Sequence, residues 1–288
     1  MPYLYLFLGT ICMSSSSLFG SFYNEKSKDK KDAAPLYAFL QLATVFFCWM
    51  ATLVFDCSFS LSVLPYAIGF GVCYAVASVA TILALRTGPI TLTSLFLKFS
   101  LLAVSVWGLF FWETQATMTA ATGIVLVILS IALILFKGNR KEKEFSWKWL
   151  LFALLAFAGN AGCSILQRGQ QKAYGGEYGA MLMSAATGIA FAVCLVLYLK
   201  SDKRDTKSIL KNGWYFPVCA GAGNVLLNVC VMKLAISPLS PSLIYPFLAV
   251  GGLGITTLFS LLVFKEKLRP LQWLGFAAGA LAVALLSL

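Results

Sequence analysis

Residues 33–55 read AAPLYAFLQLATVFFCWMATLVF, and residues 57–85 read CSFSLSVLPYAIGFGVCYAVASVATILAL. Asp56 is the only charged residue in the whole of 33–85. A helix needs about 20 apolar residues to cross the hydrocarbon core of a bilayer, so each run is long enough to cross on its own. The apolar residues run together instead of alternating, which is not the pattern of a membrane barrel. In lipid the remaining way to satisfy the backbone is the α-helix.

The pattern recurs along the chain. Runs 2–24, 114–136, 149–167, 178–199, 212–232, 234–264 and 270–288 carry no charge, and 87–112 carries one, Lys98. Of the 288 residues, 60% are hydrophobic and 11% charged, where soluble domains carry roughly 25% charged residues. The mean hydropathy is +0.85. Ten helices are therefore expected at 2–23, 34–55, 62–85, 89–111, 117–137, 147–167, 177–199, 214–236, 240–264 and 270–288. The loops between them are too short to be domains. No basic residue precedes Lys26, so the first run lacks the positive start of a signal peptide and is expected to remain as a span.

The net charge of +11 does not point to nucleic acid, because the basic residues lie in short loops between spans. Eighteen of the 22 lysines and arginines fall in odd-numbered loops, and only Arg168 and Lys172 fall in even ones. Lys98 and Lys233 lie within helices. Positive residues collect on the cytoplasmic side of short loops, so the odd loops are expected in the cytoplasm. Both termini are then expected on the non-cytoplasmic side of a plasma or inner membrane.

The two halves run in parallel. Gly88-Pro89 opens a helix ending at Phe111-Trp112-Glu113, followed by a last helix with Gly123; Ser240-Pro241 opens one ending at Phe264-Lys265-Glu266, followed by Gly275. The offset is about 152 residues, a spacing that marks an internal duplication. Five helices per half is an odd number, so the second copy must be inverted. The expected fold is an all-α membrane protein of ten transmembrane helices. It divides into a first five-helix repeat over 1–145 and a second, inverted one over 146–288.

This chain resembles the drug/metabolite transporter superfamily, in its EamA-like branch. The resemblance spans the chain and is carried by Ala-Leu-Arg-Thr-Gly-Pro (84–89), by Ile-Ser-Pro-Leu-Ser-Pro (236–241), and by Phe-Lys-Glu-Lys-Leu (264–268) with Gln272 and Gly275. It implies a carrier of ten helices working by alternating access. Its cavity would be lined by the first, third, fourth, sixth, eighth and ninth spans. Members of the family carry amino acids, nucleotide sugars, vitamins and other metabolites, and are commonly drawn with both termini in the cytoplasm, opposite to the loop charges here.

Lys98 lies nine residues after Pro89, roughly 14 Å into its helix at 1.5 Å per residue and close to mid-bilayer. A lysine at that depth costs about 3 kcal/mol on insertion scales. All eleven acidic residues lie in loops or at helix ends, so Lys98 has no evident internal counter-ion. Two readings stand: a cavity-facing cation that meets an anionic or carbonyl group of a substrate, or a structural lysine that is held by backbone carbonyls or is neutral through desolvation. The absence of buried carboxylates and of histidine argues against proton-coupled efflux of cations.

Other polar residues share helix faces at i, i+4 spacing. The candidate substrate-binding set is Lys98 and Ser94, Tyr74 and Ser78, Ser16 within the Ser14–17 run, Asn160, Ser164 and Gln167, Asn224 and Asn228, and Tyr245. Hydrogen bonding between helices explains any of them equally well. Arg168 reads as an interfacial cap ending the sixth helix. Lys233 is near enough to a helix end to snorkel. Gly251, Gly252 and Gly254 permit close helix approach or bending.

No nucleophile–base pair, Walker loop or metal triad occurs, so an enzyme is not expected and no catalytic residue, metal or cofactor is assigned. Eight cysteines without a CxxC read as buried thiols. The expected partners are a small-molecule substrate and the lipid bilayer, in a monomer or weak homodimer. The leading expectation is a secondary transporter that exports a small organic metabolite. The alternatives are an importer of a vitamin- or nucleoside-like nutrient, and a non-transporting receptor or assembly factor.

Overall fold

The structure is a computed structural model that describes residues 1–27, 33–56, 58–87, 90–112, 118–135, 146–200, 206–263 and 270–286. The helices are α1 (Pro2–Lys26), α2 (Ala33–Asp56), α3 (Leu64–Thr87), α4 (Ile90–Phe111), α5 (Met118–Leu135), α6 (Trp147–Ala173), α7 (Gly179–Leu199), α8 (Thr206–Gly213), α9 (Tyr215–Ala235), α10 (Pro241–Val263) and α11 (Pro270–Leu286). A 3-10 turn at Leu61–Val63 leads into α3. Prolines occupy the first position of α1, α10 and α11, where the missing N–H would have had no helical partner. Ser146 caps α6, its hydroxyl accepting from the Trp149 N–H at 3.1 Å.

Seven helices are long and apolar enough to cross a membrane, and Phe96–Phe111, Ala121–Leu133 and Pro270–Leu285 are shorter apolar helices among the described residues. Large side chains such as Phe7, Phe47, Phe110, Val125, Leu226, Leu262 and Trp273 stand exposed around the bundle. Water would not tolerate so much apolar surface, and lipid does. The chain is an all-α, multi-pass membrane protein.

Two differences from the sequence expectation stand out. The first is α8, a two-turn helix inside a lysine-rich connection. It is pinned by Ile209, buried against Tyr23, Ala33, Leu36 and Phe216, while Lys207 and Lys211 stay exposed. The second is that α6 runs six residues beyond its expected end at Gln167, to Ala173. The continuation is polar yet buried: Arg168, Gln170 and Gln171 are each no more than 2% exposed.

The helices pack in related pairs. α3 packs on α6 as α1 does on α9, α3 on α7 as α2 does on α9, and α4 on α6 as α1 does on α10. The pairs α2–α7, α4–α10 and α5–α11 complete the principal contacts. Exchanging α1 with α6, α2 with α7, α3 with α9, α4 with α10 and α5 with α11 leaves this set unchanged. Gly71 and Gly221 occupy exchange-related crossings. A Cβ on Gly71 would lie 2.9 Å from the Ala186 carbonyl oxygen of α7, and one on Gly221 would lie 2.8 Å from the Gln41 carbonyl oxygen of α2. Both crossings bring a helix against its neighbour's backbone, which glycine allows.

Two large apolar cores fill the bundle. One gathers Trp49, Phe70, Met181, Met183 and Met232 from α2, α3, α7 and α9. The other gathers Leu102, Ile131, Leu253 and Ala282 from α4, α5, α10 and α11.

Candidate functional site

The inner face of α6 builds the polar centre. Asn160, Ser164 and Gln167 follow one another at helical spacing, and Gln167 is 3% exposed. Its Nε2 donates to Asn228 Oδ1 on α9 at 2.9 Å. Asn228 Nδ2 donates in turn to the Asn224 backbone oxygen at 2.9 Å and to its Oδ1 at 3.0 Å. Three of the expected site residues thus form one network across α6 and α9. In an apolar bundle such a chain fixes the rotamers of its members and leaves few polar atoms unsatisfied.

The other expected residues are placed differently. Asn160 Nδ2 donates to Ala156 O of its own helix at 3.0 Å. Tyr74 sits edge-on to Phe70, with ring centroids 5.9 Å apart, and packs against the core of Trp49, Phe70 and Met183. Ser78 and Ser164 are partly buried. Ser16 and Ser94 lie in α1 and α4, but their side chains fall outside the described residues. Their neighbour Ser14 donates to the Thr10 carbonyl at 2.8 Å and approaches the Gly252 carbonyl of α10 at 3.2 Å. Gly251 also faces α1, since a Cβ there would meet Thr10 Cγ2 at 2.7 Å, whereas Gly254 has room.

Lys98 is partly buried in α4. It shares a helix face with Leu102, Ser105 and Leu109, the face packed on α10: Leu102 and Leu109 join Leu243, Val250 and Leu253. Ser105 Oγ lies 3.3 Å from the Pro241 carbonyl. Lys233 is exposed.

Arg168 requires a correction. Because α6 does not end at Gln167, Arg168 is not an interfacial cap; it is 2% exposed inside the bundle. Its Nη2 reaches the Leu239 carbonyl at a long 3.5 Å. Its guanidinium carbon lies 5.3 Å from the Trp112 ring centre, within cation–π range. Nε and Nη1 are buried with no hydrogen-bond acceptor. The Tyr245 hydroxyl lies beside the guanidinium, close enough to interact with it, and among the described residues it has no other hydrogen-bond partner. Tyr245 is 1% exposed and packs with Val104 and Ala161. The sequence signal was present: Arg168 is one i+4 step from Ser164, on the same inward stripe.

A cavity of about 810 Å³ lies where α2 ends, α6 turns into α7 and α9 ends. Trp49, Asp56, Gln171, Glu177, Met232 and Lys233 line it. The Trp49 indole N–H is buried without an acceptor among the described residues.

No family model matches the chain, and no curated protein matches it. A solved structure described only as "Crystal structure of protein" is similar over 99% of this chain and 95% of that one, with a TM-score of 0.74 and 14% sequence identity. A likeness at that identity shows the fold alone.

Proposed function

We propose that the protein is a secondary carrier for a small organic metabolite, of the drug/metabolite transporter type, exporting its substrate across a plasma or inner membrane. The observation that carries the reading is the exchange of helix packing between the halves, with Gly71 and Gly221 at related crossings. Carriers built from inverted repeats bind substrate at the repeat interface and work by rocking or gating one helix bundle against another. On this reading ten spans form two inverted five-helix repeats, with α8 lying at the surface. The odd loops face the cytoplasm and both termini face outward.

The polar residues fit a hydrogen-bonding or anionic substrate. Lys98 has no hydrogen-bond or ion-pair partner among the described residues, and no Asp or Glu occupies an apolar run. Asn224, Asn228 and Gln167 offer amide groups close to the repeat interface, with Tyr74, Ser78, Ser94, Ser16, Asn160, Ser164 and Tyr245 on the helices around them. Substrate pockets commonly combine apolar walls with a few such groups.

The test is counterflow in proteoliposomes. Purified protein is reconstituted with a panel of labelled metabolites, and uptake is compared with that of Lys98→Gln. The expected result is saturable flux that Lys98→Gln reduces at least tenfold. Absence of flux for every compound that binds the protein would sink the carrier reading. Flux unchanged in Lys98→Gln would remove Lys98 from the site.

A further inference from the structure

We infer that Arg168, with the Tyr245 hydroxyl as second donor, is a carboxylate-binding subsite for a monoanionic compound with an apolar or aromatic body. The inference rests on the carrier reading for how the site is reached, but its binding chemistry stands on its own observations. A guanidinium with five N–H donors is 2% exposed, and two of its three nitrogens have no acceptor. Beside it is a second buried donor: the Tyr245 oxygen faces the guanidinium, which leaves its O–H without an acceptor. Burying a charge without a partner is strongly unfavourable, and within a membrane an ionisable side chain marks a substrate or ion pathway by default. Unpaired donors clustered around one cation are complementary to an oxyanion.

The surroundings select the anion. Among the described residues the guanidinium contacts Trp112, Leu239 and Tyr245, none of them a cation. One positive charge and a neutral hydroxyl match a carboxylate better than a doubly charged phosphate. The walls are apolar: Leu101, Ala103, Val104, Ala161 and Ile165 pack around Trp112 and Tyr245. Arg168 also touches three elements at once, through Trp112 after α4, Leu239 before α10, and its own α6. Separation of these helix ends would uncover it.

A competing source of the same chemistry is the protein itself. Glu113 follows Trp112 in sequence and lies outside the described residues. Its carboxylate as a permanent partner is the outcome that would make the site structural.

The experiment is thermal unfolding of the purified full chain, titrated with benzoate, benzamide and inorganic phosphate. Benzoate should raise the melting temperature while the isosteric, uncharged benzamide does not, and phosphate should have at most a tenth of the effect at equal concentration. Arg168→Gln should abolish the benzoate shift and Tyr245→Phe should weaken apparent affinity three- to tenfold. Glu113→Gln should leave the shift intact. If Arg168→Gln does not fold, Arg168→Lys carries the same test, because it keeps the charge and loses the planar fork; a tenfold weaker response is expected.

The subsite is overturned if benzoate has no effect or if its effect survives Arg168→Gln. It is overturned equally if phosphate matches benzoate. It also falls if Arg168→Gln and Glu113→Gln destabilise the unliganded protein equally and non-additively, the mark of an internal ion pair. Benzoate binding without any counterflow would refute the carrier reading alone. Flux of a carboxylate undiminished in Arg168→Gln would refute the subsite alone.

Discussion

Replacing Gly71 and Gly221 by alanine measures whether the two halves share one packing design. Alanine is favoured over glycine inside a helix by about 1 kcal/mol, so propensity alone makes both variants more stable. The structure reverses the sign. At Gly221 the new methyl would sit 2.8 Å from the Gln41 carbonyl oxygen and 2.8 Å from Thr44 Cβ. Neither atom can swing away, because one is backbone and the other is the root of a β-branched side chain. At Gly71 the methyl would meet the Ala186 oxygen at 2.9 Å, Ile189 Cδ1 at 2.8 Å and Ile189 Cβ at 3.0 Å; of these only Cδ1 can rotate away, and the fixed Cβ is 0.2 Å further off than Thr44 Cβ is at Gly221. Overpacking of this kind costs typically 1–3 kcal/mol. The net expectation is a loss of about 1–2 kcal/mol for Gly221→Ala and about 1 kcal/mol for Gly71→Ala.

Gly169 and Gly254 are internal controls, with nearest atoms at 3.7 and 3.8 Å; their alanine variants should be neutral or up to about 1 kcal/mol more stable. The assay is equilibrium unfolding in bicelles, all four variants side by side. Stabilisation by all four would show that the crossings are not tight. Opposite signs for Gly71 and Gly221 would show that the exchange of helices does not extend to their energetics.

Other perturbations address the polar centre and the turn beside it. Gln167→Leu and Asn228→Leu each remove one end of the 2.9 Å bond between α6 and α9; a double-mutant cycle in bicelles should return a coupling of about 0.6–2 kcal/mol, and zero coupling would show that the bond is not formed. Gly175 and Gly176 hold φ of 61° and 92° in the turn between α6 and α7. Gly175→Ala has nothing within 4 Å and should cost only about 1–2 kcal/mol of left-handed strain. Gly176→Ala should cost more, because its methyl would also meet Ile236 Cδ1 at 3.0 Å; a smaller loss in melting temperature than for Gly175→Ala would contradict that contact. Membrane-impermeant labelling of cysteines introduced at each terminus of intact cells should modify both, and protection of either terminus would reverse the assigned orientation.

The helices were legible because charge-free runs are long and charges punctuate them; α2, α7 and α11 begin within two residues of expectation. What failed was reading every charge as an end. Arg168 and Lys172 made α6 look finished at Gln167, although Arg168 continues the inward stripe of Ser164. Lys207 and Lys211 likewise hid α8, whose hold on the bundle is Ile209. Within one helix, pairs were readable: Asn224 and Asn228 share a face and do bond. Between helices they were not. That Gln167 meets Asn228 depends on where α6 crosses α9, and nothing in either segment's periodicity sets that crossing. Lys98 drew attention by its depth and Arg168 did not, yet Arg168 is the more deeply buried of the two.

The halves agree in packing and differ in chemistry, which bears on how such a bundle could switch. Close crossings at Gly71 and Gly221 are alike, whereas the polar ties near the end of α6 belong to one half. There, Gln167 holds Asn228 at 2.9 Å and Arg168 holds Leu239 at 3.5 Å. Parting α6 from α9 and α10 at that end breaks these two bonds. Intramolecular hydrogen bonds contribute about 0.5–1.5 kcal/mol each, and those to a charged group somewhat more. The ties therefore oppose opening by about 1–4 kcal/mol, with the long Arg168 contact towards the lower limit. A ligand shifts a two-state equilibrium only by its differential affinity, and each 1.4 kcal/mol corresponds to tenfold. On the proposal above, a carboxylate that satisfies the free donors of Arg168 and Tyr245 needs about a five- to 700-fold preference for the parted state to offset these ties. On the proposed carrier reading, related packing in the two halves would keep the two states close in energy, and an asymmetric pair of polar ties would then place the balance under the control of one anion.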